Sequence, residues 1–372
     1  MKGRRSAVWG VLLIVLLVLS SCSGAKPVNR PSQSGPAPGK VVMITGAGAT
    51  FPYPLYSKWF YIYSMKIDPT VRFNYQSIGS GGGIRQIMAK TVDFGASDAI
   101  LSEEEKAAAP DLRMFPTVAG GVVVAYNLTD ANGKPVGTGL KLTPDVLADI
   151  YLGKVTRWND ERIAEVNPDI ALPDMPIAVV HRSDGSGTTF LFTNYLAQVS
   201  PEWKEKVGAG KSVDWPAGIG GKGNEGVAGV LRQQPGSIGY IELAYAAQNK
   251  IPYAFIQNRA GRFIEPTVDS ITAASEAYAA EMPEDLGQLL VNAPGEDSYP
   301  IAGYTFILLY QDMPNCVKAR KIHDFMVWAL TQGDLYARNL LYAPLGTSVE
   351  KMVIEKLDTL TCEGGRPVTS HE

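Results

Sequence analysis

The chain has 372 residues, of which 45% are hydrophobic and 19% charged, with a formal net charge of −3. That length is too great for one compact domain and suits two lobes, and the apolar share fits a globular, core-forming protein. An acidic chain lacks the basic balance that nucleic-acid binding needs, and any anion it holds must be held by local dipoles and individual cations rather than by bulk charge.

Residues 1–21 read as a secretion signal. Lys2, Arg4 and Arg5 form the basic start and Val8 to Leu19 the apolar core, which is short of the roughly 20 residues that span a bilayer. The segment ends in Leu19-Ser20-Ser21-Cys22. This resembles the lipobox of bacterial lipoproteins, in which the cysteine is lipidated and becomes the first mature residue. Residues 22–40 hold Pro27, Pro31, Pro36 and Pro38 among Ser and Gly, the composition of a tether. Loss of residues 1–21 removes three cations and no acid, so the formal charge moves from −3 to −6.

From Val41 onward, strand-like and helix-like segments alternate. Val41 to Ile44 predicts a strand, and Gly46-Ala47-Gly48-Ala49-Thr50-Phe51 leads from it into a helix over Pro52 to Tyr63, with proline suited to the first turn. Val71 to Tyr75 predicts a second strand. The turn Ile78-Gly79-Ser80-Gly81-Gly82-Gly83 and a short helix over Ile84 to Ala89 follow, then Asp93-Phe94-Gly95-Ala96-Ser97-Asp98. Val122 to Tyr126 reads as a buried strand and Val146 to Tyr151 as a helix. Ile177 to Val180 is a strand, entering a helix over Phe190 to Leu196 through Arg182-Ser183-Asp184-Gly185-Ser186-Gly187-Thr188-Thr189. Tyr304 to Tyr310 is another strand, and His323 to Thr331 another helix. The alternation predicts an α/β fold with mainly parallel sheets.

The turn from Arg182 to Thr189 carries the chemistry. A Gly, Ser and Thr turn between strand and helix leaves backbone N–H groups unpaired at the positive end of the helix dipole, which suits an oxyanion. Arg182 adds a planar fork that fits a tetrahedral oxyanion. One such turn is equally an ordinary capped helix. Three of them, carrying Thr50, Ser80 and Ser186, point to convergence on one anion. Asp98 reads either as a turn residue or as a carboxylate facing that anion. In the second case it accepts a hydrogen bond from a protonated oxyanion and repels one without a proton.

Rival motifs fail on their own terms. Gly218-Ile219-Gly220-Gly221-Lys222-Gly223 has the letters of a dinucleotide fingerprint, with Glu242 about the right distance on, but Asp214-Trp215-Pro216 stands where a buried strand is required. Lys222 is followed by Gly223, not by the Ser or Thr of a P-loop. Neither Ser186 nor Ser80 lies in a nucleophile elbow, since Asp184 and Ile78 occupy the glycine position. His181, His323 and His371 are scattered without metal-ligand spacing. Cys316 and Cys362 either form a disulfide, as an exported protein can, or remain two buried thiols.

These segments resemble the phosphate-binding lipoproteins (PstS) of bacterial ABC-type phosphate transporters, a family of two-lobed periplasmic solute-binding proteins. The resemblance extends over Asp149-Ile150-Tyr151-Leu152-Gly153-Lys154, Gly220-Gly221-Lys222-Gly223-Asn224 and Pro235-Gly236-Ser237-Ile238-Gly239-Tyr240. It implies a periplasmic-binding-protein fold with a double-crossing hinge near Val122 and Tyr304. One lobe would be built from residues 41–120 and 299–372, and the other from 121–298. It implies inorganic phosphate as ligand, an ABC permease as partner, membrane attachment through Cys22, and no catalysis or cofactor. Phosphate contacts carry over onto Thr50, Phe51, Ser80, Asp98, Arg182, Ser186, Gly187 and Thr188. Phe51 and Gly187 act through backbone N–H, and Asp184 orients Arg182. Gly81 departs from the family pattern, where many members have a second serine. The alternatives are a secreted phosphatase using the same pocket, which would need an activated nucleophile or metals, and a receptor for another oxyanion.

Overall fold

The computed structural model describes residues 41–369; the signal segment, Cys22 and the tether lie outside the described residues. The fold is organised by one mixed sheet of nine strands. Its first part comprises β1 (Val42–Gly48), β2 (Val71–Ser77) and β3 (Phe94–Ser97), connected through α1 (Tyr53–Ile62) and α2 (Ser80–Met88). β1 pairs with β2 and β3 in parallel, as expected where helical crossovers link the strands.

β4 (Leu112–Asn127) runs for 16 residues and is buried along most of its length. Its apolar run Val122 to Tyr126 is fully buried, as suits a strand covered on both faces. Beyond it lie β5 (Ala178–Arg182), which enters α3 (Gly187–Val199), and β6 (Ile219–Gly221), which enters α4 (Gly223–Gln233). β7 (Ser237–Glu242) and β8 (Ala302–Tyr310) complete the main path, in the spatial order β2-β1-β3-β8-β4-β7-β5-β6. A short β9 (Ala343–Pro344) also pairs with β4.

The expectation of mainly parallel sheets holds on the two flanks but not at the centre. β8 pairs antiparallel with β3 and β4, and β4 pairs antiparallel with β7. The reason lies in chain direction. β4 pairs with β8 over Leu112 to Gly121 and with β7 over Val122 to Asn127, so one strand serves both parts of the sheet and β8 returns against it. The strand predicted at Val122 thus begins ten residues earlier, at Leu112.

Two helices also start earlier than their apolar periodicity predicts. α2 begins at Ser80, with Gly83 N–H closing on Gly79 C=O at 3.0 Å, so Gly81, Gly82 and Gly83 are its first turn rather than a loop before Ile84. α3 likewise begins at Gly187. Helix starts are defined by backbone hydrogen bonds that small residues make without adding to the apolar pattern.

α1 packs through aromatic rings: Phe60 stacks on Phe73 at 4.6 Å and meets Phe325 at 5.1 Å. Cys316 and Cys362 are joined as a disulfide with Cα atoms 5.1 Å apart, tying the helix Cys316–Gln332 to the short strand Thr361–Cys362. Among the described residues no helix is long and apolar enough to cross a membrane.

Candidate anion site

The carboxyl ends of β1, β3 and β5 bring the sequence-predicted residues into one buried cluster, where open α/β sheets place ligands. Thr50 follows β1, Ser80 opens α2, Asp98 follows β3, Arg182 ends β5 and Ser186 caps α3. Thr50, Ser80, Asp98, Arg182, Ser186 and Thr188 are all buried.

Ser80 joins segments far apart in sequence. Its Oγ accepts from Asp98 N–H at 3.1 Å and from Gly187 N–H at 3.0 Å. A Cβ on Gly187 would stand 2.5 Å from Asp98 Cβ and from Ser80 Oγ, so only glycine lets the α3 start approach this closely. Gly81 N–H donates to Gly185 C=O at 2.9 Å. A Cβ there would lie 3.2 Å from Gly185 Cα, a tight approach that favours glycine.

Asp98 is held by Thr305 Oγ1, which donates to Oδ1 at 2.8 Å, and by Ser80 Oγ at 3.4 Å from Oδ2. Burial pushes its carboxyl up to about 7, against the opposing pull of Thr305, Arg182 and Ser80. Thr305 had no signal in the sequence, lying 207 residues away. It is placed there by the antiparallel pairing of β8 with β3, in which the neighbouring Phe306 stands opposite Ser97.

Arg182 forms a two-pronged pair with Asp184, Nε to Oδ1 at 2.8 Å and Nη2 to Oδ2 at 2.6 Å. Its Nη1 donates to Thr188 Oγ1 at 3.2 Å. Gly223 N–H adds a bond to Asp184 Oδ1 at 3.1 Å. Burial works to raise the Asp184 carboxyl, but the Arg182 hydrogen bonds and charge, with Gly223 N–H, outweigh it and hold the group below the usual carboxylate range. Arg182 therefore remains an oriented cation with one edge of its fork occupied and the other toward Thr188.

Ser186 Oγ accepts from Thr189 N–H at 3.0 Å, the cap expected of it. Phe51 is fully buried, and its carbonyl accepts from Tyr342 Oη at 2.7 Å. Tyr342 Oη also lies 3.0 Å from Glu242 Oε2. The phenol has a single proton, which these two acceptors share, and Glu242 Oε2 also accepts Ala244 N–H at 2.9 Å as a helix cap. Burial pushes the Glu242 carboxyl well above its ordinary range, in keeping with a neutral acid. Sequence reasoning missed Asn224, although it stands in a quoted motif. Its Nδ2 donates to Thr50 Oγ1 at 2.7 Å and Thr188 Oγ1 at 3.2 Å.

His181 stacks on Trp215 at 4.9 Å and meets Arg182 C=O through Nδ1, which accounts for it structurally. The glycines Gly220 and Gly221 lie within β6 rather than after it, so they form no dinucleotide turn. Among the described residues no group of three or more His, Cys, Asp or Glu side chains is placed to hold a metal ion.

The PBP superfamily domain matches the chain over residues 30–332. Phosphate-binding protein PstS of Xylella fastidiosa (strain 9a5c) is 44% identical over 357 residues, covering 92% of this chain and 96% of that protein. The chain belongs to the PstS family. Phosphate-binding protein PstS of Pasteurella multocida (strain Pm70) is 50% identical, over 82% of this chain and 87% of its own length. The crystal structure of a phosphate-binding protein from Stenotrophomonas maltophilia superposes with a TM-score of 0.62 at 20% identity, covering 85% of this chain and 94% of that one. Family membership and this likeness agree on a two-lobed α/β architecture, in which β4 is the strand common to both parts of the sheet.

Proposed function

We propose that this protein captures inorganic phosphate outside the cytoplasm and delivers it to the membrane permease of an ABC transporter, as a binding protein without catalysis of its own. The observation that carries the reading is the pairing of opposite demands in one buried cluster. Helix starts, hydroxyls and the Arg182 guanidinium favour an anion, while Asp98 in its ionised form admits only an anion that still has a proton to give. Phosphate near neutral pH meets both demands and sulfate meets one. The resemblance assigns donation to Thr50, Ser80, Ser186 and Thr188 through hydroxyls, to Phe51 and Gly187 through backbone N–H and to Arg182 through its guanidinium; Gly187 N–H, which meets Ser80 Oγ at 3.0 Å, and Ser80 O–H, which meets Asp98 Oδ2 at 3.4 Å, would share these bonds with the anion.

Lipidation of Cys22, with residues 22–40 as tether, would hold the body near a membrane while leaving it free to meet the permease. The lobes are assigned to residues 41–120 with 299–372, and to 121–298. The Leu19-Ser20-Ser21-Cys22 motif supports the anchor, and Cys22→Ser protein should leave the membrane fraction with its phosphate binding intact.

Calorimetric titration of the purified protein with phosphate, arsenate and sulfate tests the ligand. Phosphate should bind without added metal and without phosphate-ester hydrolysis, and arsenate, which carries the same proton, should compete. Ester hydrolysis abolished by Ser186→Ala or Ser80→Ala would replace this reading with a phosphatase.

A further inference from the structure

We propose that Asn224 is a positioning residue that fixes Thr50 and Thr188 as hydrogen-bond donors, turning both hydroxyl protons toward the anion. The inference deepens the phosphate reading and rests on it. A threonine hydroxyl has one proton and two lone pairs, so it serves an anion only if its lone pairs are occupied by other donors. Left to itself, it can rotate and present its oxygen instead.

Asn224 prevents that rotation at both residues. Thr50 Oγ1 accepts from Asn224 N–H at 3.2 Å and from Asn224 Nδ2 at 2.7 Å. Thr188 Oγ1 accepts from Asn224 Nδ2 at 3.2 Å and from Arg182 Nη1 at 3.2 Å. Both lone pairs of each oxygen are thus filled, and each O–H is left to give its proton elsewhere. The amide orientation is itself determined: Asn224 Oδ1 accepts Glu242 N–H at 2.9 Å, so Nδ2 must face the threonines. Asn224 is fully buried.

The same helix start serves the cation. Gly223 N–H holds Asp184, which holds Arg182. Gly223 and Asn224 therefore set both the direction of the guanidinium and the polarity of two hydroxyls. Ser80 Oγ is likewise filled by two backbone donors, Asp98 N–H and Gly187 N–H, and its O–H is directed to Asp98 Oδ2. For the two threonines, the Asn224 side-chain amide supplies one of the two donors at each hydroxyl, across sequence separations of 174 and 36 residues.

A thermodynamic cycle tests this. Phosphate is titrated into wild type, Asn224→Ala, the pair Thr50→Val with Thr188→Val, and the triple variant, with ligand-free melting recorded for each. Asn224→Ala should weaken phosphate about 30-fold in wild type, the scale of a hydrogen bond to a charged group. In the double-valine background, where no hydroxyl remains to orient, it should change affinity by less than about threefold. An equal loss in both backgrounds, or no loss in wild type, would overturn the proposal. Should Asn224→Ala fail to fold, Asn224→Asp keeps the volume and the acceptor for Glu242 N–H. Its loss must then be at least about tenfold smaller in the double-valine background, and an equal loss again overturns the proposal. Absence of phosphate binding by wild type would overturn the phosphate reading itself, and this inference with it.

Discussion

Arg182 meets Asp184 edge to edge, with Nε and Nη2 each directed at a different carboxylate oxygen, at 2.8 and 2.6 Å. The Arg182 side chain is 1% exposed and that of Asp184 12%, so the pair is held in a medium where geometry decides its worth. A planar fork can satisfy Asp184 on one edge and an anion on the other; an ammonium cannot.

Arg182→Lys should therefore weaken phosphate binding by about 2–5 kcal/mol, the cost of leaving a buried charge partly unpaired. Titration calorimetry at fixed salt measures it. Affinity unchanged from wild type would place the guanidinium outside the ligand's reach.

Asp98 predicts how discrimination depends on pH. Its carboxyl is raised to about 7, burial being the main cause. Above that pH it is ionised and can only accept, so it rejects unprotonated sulfate. Below it, the protonated carboxyl has an O–H to donate. Sulfate should therefore compete better as pH falls through 7, and Asp98→Asn, which donates at every pH, should remove this trend. Sites built around one hydrogen bond discriminate by roughly 10⁴-fold, so paired phosphate and sulfate titrations at matched ionic strength will resolve the change.

Glu242 affects stability rather than binding. Burial raises its carboxyl well above the ordinary range, so the folded state retains a proton that the unfolded chain releases near its ordinary value. Stability is then highest below the unfolded value and falls as pH rises toward the folded one, by up to about 1.4 kcal/mol per pH unit from this group. Glu242→Gln is neutral at every pH and should flatten that part of the profile. Denaturant melts between pH 5 and 8 check it; an unchanged slope would mean that Glu242 is already ionised in the fold.

The disulfide closes a 46-residue separation between Cys316 and Cys362. Replacing both with serine should cost about 2–4 kcal/mol of stability. Phosphate affinity should be unaltered, because the bridge ties a C-terminal strand to a helix and touches none of the anion cluster. Chemical denaturation and phosphate titration of the same double variant separate the two effects.

Much of this protein was legible in order along the chain. Thr50, Ser80, Arg182 and Ser186 each stand at a strand-to-helix transition, and small hydroxyl residues at such transitions have a local physical meaning: they sit at the unpaired, positive end of a helix. Family resemblance then added Phe51, Gly187 and Thr188 and chose, of the two readings of Asp98, the one that faces the anion. What sequence could not supply was every relationship made across the sheet. Thr305 reaches Asp98 across the antiparallel pairing of β8 with β3, and a strand carries no local signature of the partner it will pair with. Asn224 lies in a glycine-rich motif that reads as a turn, and its role exists only because α4 starts beside both Thr50 and Thr188. Glu242 looked like a distant acidic member of a nucleotide motif; burial beside Tyr342 raises its carboxyl well above the ordinary range. Local chemistry is written in neighbouring residues, whereas the protonation of a carboxyl and the direction of a hydroxyl depend on partners brought close by packing, which only the tertiary structure decides.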